Sequence, residues 1–185
     1  MVQIMTIARF PLAVAFATVL LSFEQATSIL ILCATLLILM ELTDVLDGML
    51  ARRTGVVTEW GATLDPYLDS ISRITVYWAL AYRGLAMAIV PLVMACRDVT
   101  VAYCRVILAR SGRTVSARRS GKIKGQFQSV GAVLLLLRPL FSWAYTRKWT
   151  MHTLSWIIVV VTLASVIEYV ADAFSASKAV KRELR

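Results

Sequence analysis

The chain has 185 residues, of which 59% are hydrophobic and 17% charged, with a mean hydropathy of +0.73. Soluble domains are usually about 45–50% apolar, so this composition excludes an ordinary water-soluble domain and predicts one all-α membrane domain over residues 1–185. The net charge of +9 sits at the borders of the apolar runs, where anionic lipid attracts Lys and Arg, so no nucleic acid is expected as a partner.

The first apolar run, 4–23, lacks a basic leader and is interrupted by Arg9, so it reads as a span rather than a signal peptide. Further runs follow at 27–46, 63–82, 84–108, 126–146 and 152–173. Each approaches the roughly 20 residues that cross about 30 Å of hydrocarbon as a helix. Six spans put both termini on one side. Arg52 and Arg53 follow the second span; Arg110, Arg113, Arg118, Arg119, Lys122 and Lys124 follow the fourth; Lys178, Lys181, Arg182 and Arg185 end the chain. The excess of positive charge puts these loops and both termini in the cytoplasm. Cys33, Cys96 and Cys104 lie in apolar surroundings and read as small buried hydrophobes rather than a disulfide framework. His152 and the tryptophans Trp143, Trp149 and Trp156 fall near the outer border, where an aromatic belt is expected.

Residues 41–70 read ELTDVLDGMLARRTGVVTEWGATLDPYLDS. Asp44 and Asp47 are three apart and share a face at the cytoplasmic end of the second span, with Gly48 beside them. Asp65 and Asp69 are four apart and share a face at the start of the third. The connection ARRTGVVTEWGA is short enough to bring the two pairs together. Four ionised carboxylates repel one another, and each costs about 2.5–3.5 kcal/mol at mid-membrane. Protonation, contact with water or a bound divalent cation relieves this. Oxygen-only ligation suits magnesium, manganese or calcium rather than zinc. Four Asp residues are enough to hold two ions about 3.5–4 Å apart, the spacing used for in-line phosphoryl displacement. The plainer alternative has them capping helices and pairing with Arg52 and Arg53. Gly48 costs a helix about 0.8–1 kcal/mol relative to Ala, and is useful where a ligand approaches the backbone.

The pattern Asp44-x-x-Asp47-Gly48-x-x-Ala51-Arg52, eight residues, Gly61-x-x-x-Asp65-x-x-x-Asp69 resembles the signature of the CDP-alcohol phosphotransferases. These enzymes transfer a phosphatidyl group from a CDP-linked lipid to an alcohol and release CMP. The resemblance implies six transmembrane helices, with the active site at the cytoplasmic ends of the second and third. It implies that Asp44, Asp47, Asp65 and Asp69 hold two Mg2+ or Mn2+ ions and that Asp69 is the general base. Gly48, Ala51, Arg52, Thr58 and Gly61 would line the CDP-diacylglycerol site. At the N-terminus, Thr6 and Arg9 match a Pro-Asn-x-x-Thr element found in many members, while Val2 and Gln3 depart from it; Gln3 and Thr6 are the expected nucleotide contacts. A homodimer in a bacterial inner membrane, its active site facing the cytoplasm, is the family expectation.

The acceptor is read from the second half. Arg97 and Asp98 lie within the fourth span, and Arg105 follows at i+8 on a similar face. A basic cluster of Arg118, Arg119, Lys122 and Lys124 follows. Cations beside a two-metal site suit an acceptor that itself carries a phosphate. The run RDVTVAYCRVILARSG…SGKIKGQFQ resembles that of the bacterial phosphatidylglycerophosphate synthases, which use glycerol 3-phosphate. Two residues depart from those synthases: Ser70, where Lys is usual, and Gly125, where Thr is common. The alternative acceptor is another phosphorylated polyol such as inositol phosphate. The alternative of a different class is a divalent-cation transporter with an Asp-lined path. Against it, the aspartates cluster at one end of two adjacent spans, and the chain has no internal repeat.

Overall fold

A computed structural model describes residues 2–54, 59–110, 119–141 and 146–183. Among these, the fold is all-helical: α1 (Val2–Ser22), α2 (Thr27–Thr54), α3 (Glu59–Tyr82), α4 (Ile89–Arg110), α5 (Arg119–Leu137), a 3-10 turn at Arg138–Leu140, and α6 (Thr146–Glu183).

Each helix overlaps one of the six expected apolar runs, but the ends differ. α2 continues to Thr54 and α3 starts at Glu59, so most of the expected loop ARRTGVVTEWGA is helical and Gly61 lies inside α3. α3 stops at a Schellman motif. Gly84, at φ 67°, occupies the left-handed position, Leu85 N donates to Leu80 O at 2.8 Å and Gly84 N to Ala81 O at 3.0 Å. Leu80 and Leu85 are both buried, which supplies the apolar contact of the motif. This turn delays α4 to Ile89, five residues into the expected span. α5 ends at Leu137 because Pro139, lacking an N–H, cannot continue it.

α1 packs on α2 and α3, α4 on α6, and α5 bridges the halves by touching α2, α3 and α6. The main core runs through all six helices, from Phe16 and Leu20 through Leu30, Leu80 and Met94 to Leu135 and Ile158. A smaller cluster of Val101, Cys104, Tyr169 and Ala173 joins α4 to α6. Outside, large apolar side chains such as Ile31, Leu92, Val160 and Ile167 are exposed, and water would not favour so many. Within α6, Lys148–Ser175 is long and apolar enough to cross a membrane; Ala8–Ser22 and Thr27–Thr43 are shorter apolar helices. Among the cysteines, Cys33 and Cys104 are buried as expected, whereas Cys96 is exposed. It lies on the exposed side of α4, next in the chain to the buried Arg97.

Lipid chains are as apolar as Leu, so close packing and hydrogen bonds, rather than transfer from water, decide how such helices associate. Tyr77 on α3 donates from its hydroxyl to the Gln128 carbonyl on α5 at 2.5 Å, and Gln128 Nε2 donates to Thr162 Oγ1 on α6 at 2.9 Å. All three residues are buried. Beside them Gly131 lets α5 approach closely. A Cβ there would stand 2.7 Å from Ile158 Cδ1 and 3.0 Å from the Tyr77 hydroxyl. On the far side, the guanidinium of Arg83 donates to the Phe23 carbonyl, and Gln25 Nε2 donates to the Arg83 carbonyl. The α1–α2 and α3–α4 turns are thereby tied together.

Candidate active site

Asp65 and Asp69 stand one turn apart on α3, on the face that α1 and α5 approach. Asp44, Asp47, Gly48, Ala51 and Arg52 lie along the continuous backbone of α2, and Gly61 along α3. The side-chain surroundings of these six, and of Gln3, Thr6, Arg119 and Lys122, lie outside the described residues, as do Thr58 and Arg118 altogether.

Around Asp69 the fold assembles a network that the signature alone does not contain. Arg73 Nε donates to Asp69 Oδ1 at 2.8 Å, while its Nη1 donates to the Gly125 carbonyl at 2.7 Å and to Ser129 Oγ at 2.5 Å. Ser129 in turn donates to Glu41 Oε1 at 2.5 Å, which lies 3.7 Å from Arg73 Nη1. From α1, Arg9 Nη1 reaches to 3.7 Å from Asp69 Oδ1. One guanidinium thus connects α2, α3 and α5. Sequence reasoning missed Arg73 and Glu41 as site residues. The available signal was an Arg inside an apolar span, four residues after an Asp, because intramembrane charge is a functional candidate by default. Gly125 lies against the same cation: the Arg73 guanidinium is 3.6 Å from where its Cβ would be, an ordinary contact distance.

Asp65 answers whether this site suits a divalent ion. Its Oδ1 is buried and has no hydrogen-bond partner among the described residues. An orphaned buried carboxylate oxygen is costly unless something cationic or donating meets it. A hard oxygen-seeking ion such as Mg2+ or Mn2+ fits that donor.

A second cluster lies beside the first. On α4, Arg97 Nη1 donates to Asp98 Oδ1 at 2.8 Å, and Lys124 Nζ from α5 donates to the same oxygen at 3.2 Å. Arg97 Nε donates to Ser165 Oγ on α6 at 3.0 Å. Arg97 and Lys124 are both buried, which long cationic side chains tolerate only when paired. Burial pushes the ammonium of Lys124, just outside the expected fifth span, below its ordinary range, and the Asp98 carboxylate opposes that shift. Arg97 and Arg105 both lie over the ring of Tyr169, at 5.7 and 5.8 Å. Three expected acceptor residues, Arg97, Arg105 and Lys124, are therefore brought together, with Asp98 and Tyr169 between them.

The two clusters are joined. Gly125, whose carbonyl accepts from Arg73, is next in the chain to Lys124, which donates to Asp98, and the Asp69 carboxylate is close enough to favour the charged form of Lys124. A carboxylate pair with a cation-seeking oxygen thus stands beside a cage of basic groups.

This geometry can be set against known proteins. The family model for CDP-alcohol phosphatidyltransferase matches residues 1–173. The chain belongs to the CDP-alcohol phosphatidyltransferase family. It is 31% identical over 147 residues to the CDP-diacylglycerol–glycerol-3-phosphate 3-phosphatidyltransferase of Treponema pallidum, covering 75% of this chain and 68% of that protein. It is 32% identical over 145 residues to the Bacillus subtilis protein of the same name, covering 78% and 75%. The Yersinia pestis protein of that name is 29% identical over 147 residues, covering 77% and 79%. As a CDP-alcohol phosphatidyltransferase the chain is an enzyme, a transferase of phospholipid synthesis. Both clusters fall inside the matched residues.

Proposed function

We propose that the chain transfers the phosphatidyl group of CDP-diacylglycerol to glycerol 3-phosphate, giving phosphatidylglycerophosphate and CMP. The observation that carries the acceptor reading is the Arg73–Gly125 hydrogen bond, which sets Lys124, and with it Asp98 and Arg97, beside Asp69. An acceptor whose phosphate is held by those cations presents its free hydroxyl toward the aspartates. The names of the Treponema, Bacillus and Yersinia relatives support the same substrates.

In this reading Asp44, Asp47, Asp65 and Asp69 hold two divalent ions, Mg2+ or Mn2+. When bound, the ions supply positive charge that offsets the pyrophosphate and the departing CMP. Asp69 accepts the proton of the acceptor hydroxyl. The hydroxyl oxygen then bonds to the phosphorus that carries diacylglycerol, and the bond from that phosphorus to the CMP oxygen breaks. Arg73 holds the Asp69 carboxylate in place. Gly48, Ala51, Arg52, Thr58, Gly61, Gln3 and Thr6 line the CDP-lipid site. Arg97, Arg105, Lys124, Arg118, Arg119 and Lys122 meet the acceptor phosphate.

The chain acts as a single domain, residues 1–185, with six spans in a bacterial inner membrane and its active site at the cytoplasmic ends of α2 and α3. The apolar α6 segment Lys148–Ser175, the outward-facing apolar side chains and the excess of basic residues in the even-numbered loops support that placement. A homodimer is proposed from family likeness.

The test is CMP release from CDP-diacylglycerol by purified protein with magnesium or manganese. Glycerol 3-phosphate, inositol phosphate, serine and glycerol are offered separately. Release with glycerol 3-phosphate alone supports the proposal; release with another acceptor overturns the acceptor and keeps the chemistry. No release from folded protein that still binds metal favours a transporter.

A further inference from the structure

We infer that Tyr169, on α6, is the positioning residue of the acceptor-phosphate site: its ring face holds the guanidiniums of Arg97 and Arg105 together. The inference rests on the acceptor reading above. Arg97 and Arg105 are eight residues apart on α4, about 12 Å along a helix axis. Both guanidinium carbons nevertheless lie within 6 Å of one ring centroid, at 5.7 and 5.8 Å. Two cations drawn toward one point repel each other, and the negative face of an aromatic ring is the neutral group that offsets this.

The ring itself is immobilised. Tyr169 is 2% exposed and packs with Val101 and Cys104 of α4 and with Ala173 one turn further along α6. Val101 lies midway between the two arginines, so the ring enters at the middle of the pair. Arg97 has further anchors in Asp98 and in Ser165, one turn before Tyr169 on α6. Arg105 differs: its Nε is buried and has no hydrogen-bond partner among the described residues. Among the described residues the ring face is the contact that orients Arg105, and its buried Nε points to an anion as the missing partner. A planar guanidinium takes phosphate oxygens in pairs. Tyr169 is then a residue that distinguishes a phosphorylated acceptor from a plain alcohol, without touching either.

The test uses the full-length enzyme in mixed micelles with CDP-diacylglycerol. Tyr169→Phe is compared with mono-, di- and trifluorophenylalanine at the same position. Fluorine withdraws electron density from the ring face with little change of shape, so folding is preserved along the series. Tyr169→Phe, which keeps an unsubstituted ring face, is the reference for the series. The KM for glycerol 3-phosphate should then climb stepwise, to roughly tenfold at the trifluoro ring, within the range of cation–π attraction. kcat and the KM for CDP-diacylglycerol should stay unchanged. A flat glycerol 3-phosphate KM across the series, with an active wild type, overturns the inference and leaves the acceptor reading standing. Equal losses in kcat and in both KM values mark a packing role and also overturn it. A wild type that ignores glycerol 3-phosphate overturns both readings.

Discussion

Arg73 and Asp69 are one turn apart on α3, and Nε of the first lies 2.8 Å from Oδ1 of the second. The same guanidinium reaches Ser129 and the Gly125 carbonyl on α5. The proposed base is therefore fixed by a group that also ties the helices around it. Arg73→Met should lower stability by about 1–3 kcal/mol, since Asp69 and Ser129 lose a charged donor in a half-buried setting. Arg73→Lys should recover only part, because one ammonium cannot follow the divergent directions of Nε and Nη1. Thermal unfolding in detergent checks this, with CMP release measured alongside.

Asp69→Asn keeps the shape of the side chain and removes its ability to take a proton. CMP release should fall by about 10²–10⁴-fold, the usual worth of a general base. Thermal stability should also fall, by about 1–3 kcal/mol, because Arg73 and the buried Arg9 lose the charge they pair with. Activity within a factor of three of wild type would exclude Asp69 as the base.

Chelation should abolish CMP release, and added Mg2+ or Mn2+ should restore it. Asp65→Asn should raise the metal concentration needed for half-maximal rate, because the orphaned Oδ1 would become part of a neutral amide. A metal titration that is unchanged in Asp65→Asn would remove Asp65 from the ion site.

Lys124→Met leaves Asp98 with Arg97 as its cationic partner and takes one charge from the acceptor cage. The KM for glycerol 3-phosphate should rise roughly tenfold, about 1.4 kcal/mol, with the KM for CDP-diacylglycerol unchanged. A KM change confined to CDP-diacylglycerol would place Lys124 on the lipid-nucleotide side instead.

Gly131→Val should destabilise by about 1–3 kcal/mol. Its Cβ would begin 3.0 Å from the Tyr77 hydroxyl, which is held at 2.5 Å from the Gln128 carbonyl and cannot yield freely. Gly131→Ala should cost less, because it meets the same Cβ contacts without the two further methyls that Val adds. Equal melting temperatures for wild type and the Val variant would show that α5 and α6 are not packed this closely.

The sequence alone determined the helical class, the six-helix order and the aspartate signature. Apolar runs of about 20 residues and carboxylates at i+3 or i+4 are local patterns, and local patterns survive into the fold because a helix preserves them. Helix ends were less legible: only the backbone at Gly84 shows how α3 stops, and only the continuous α2 shows that the expected loop is largely helical. Tertiary structure decided which charges meet. Asp98 takes Lys124 from 26 residues away, Arg97 takes Ser165 from 68, and Arg73 takes the Gly125 carbonyl from 52. Such pairings depend on how each helix is rotated and where two axes cross, which spacing within one helix does not encode. Tyr169 is the plainest case. In the sequence it is one aromatic residue in an apolar run; in the fold it is the surface on which two arginines rest.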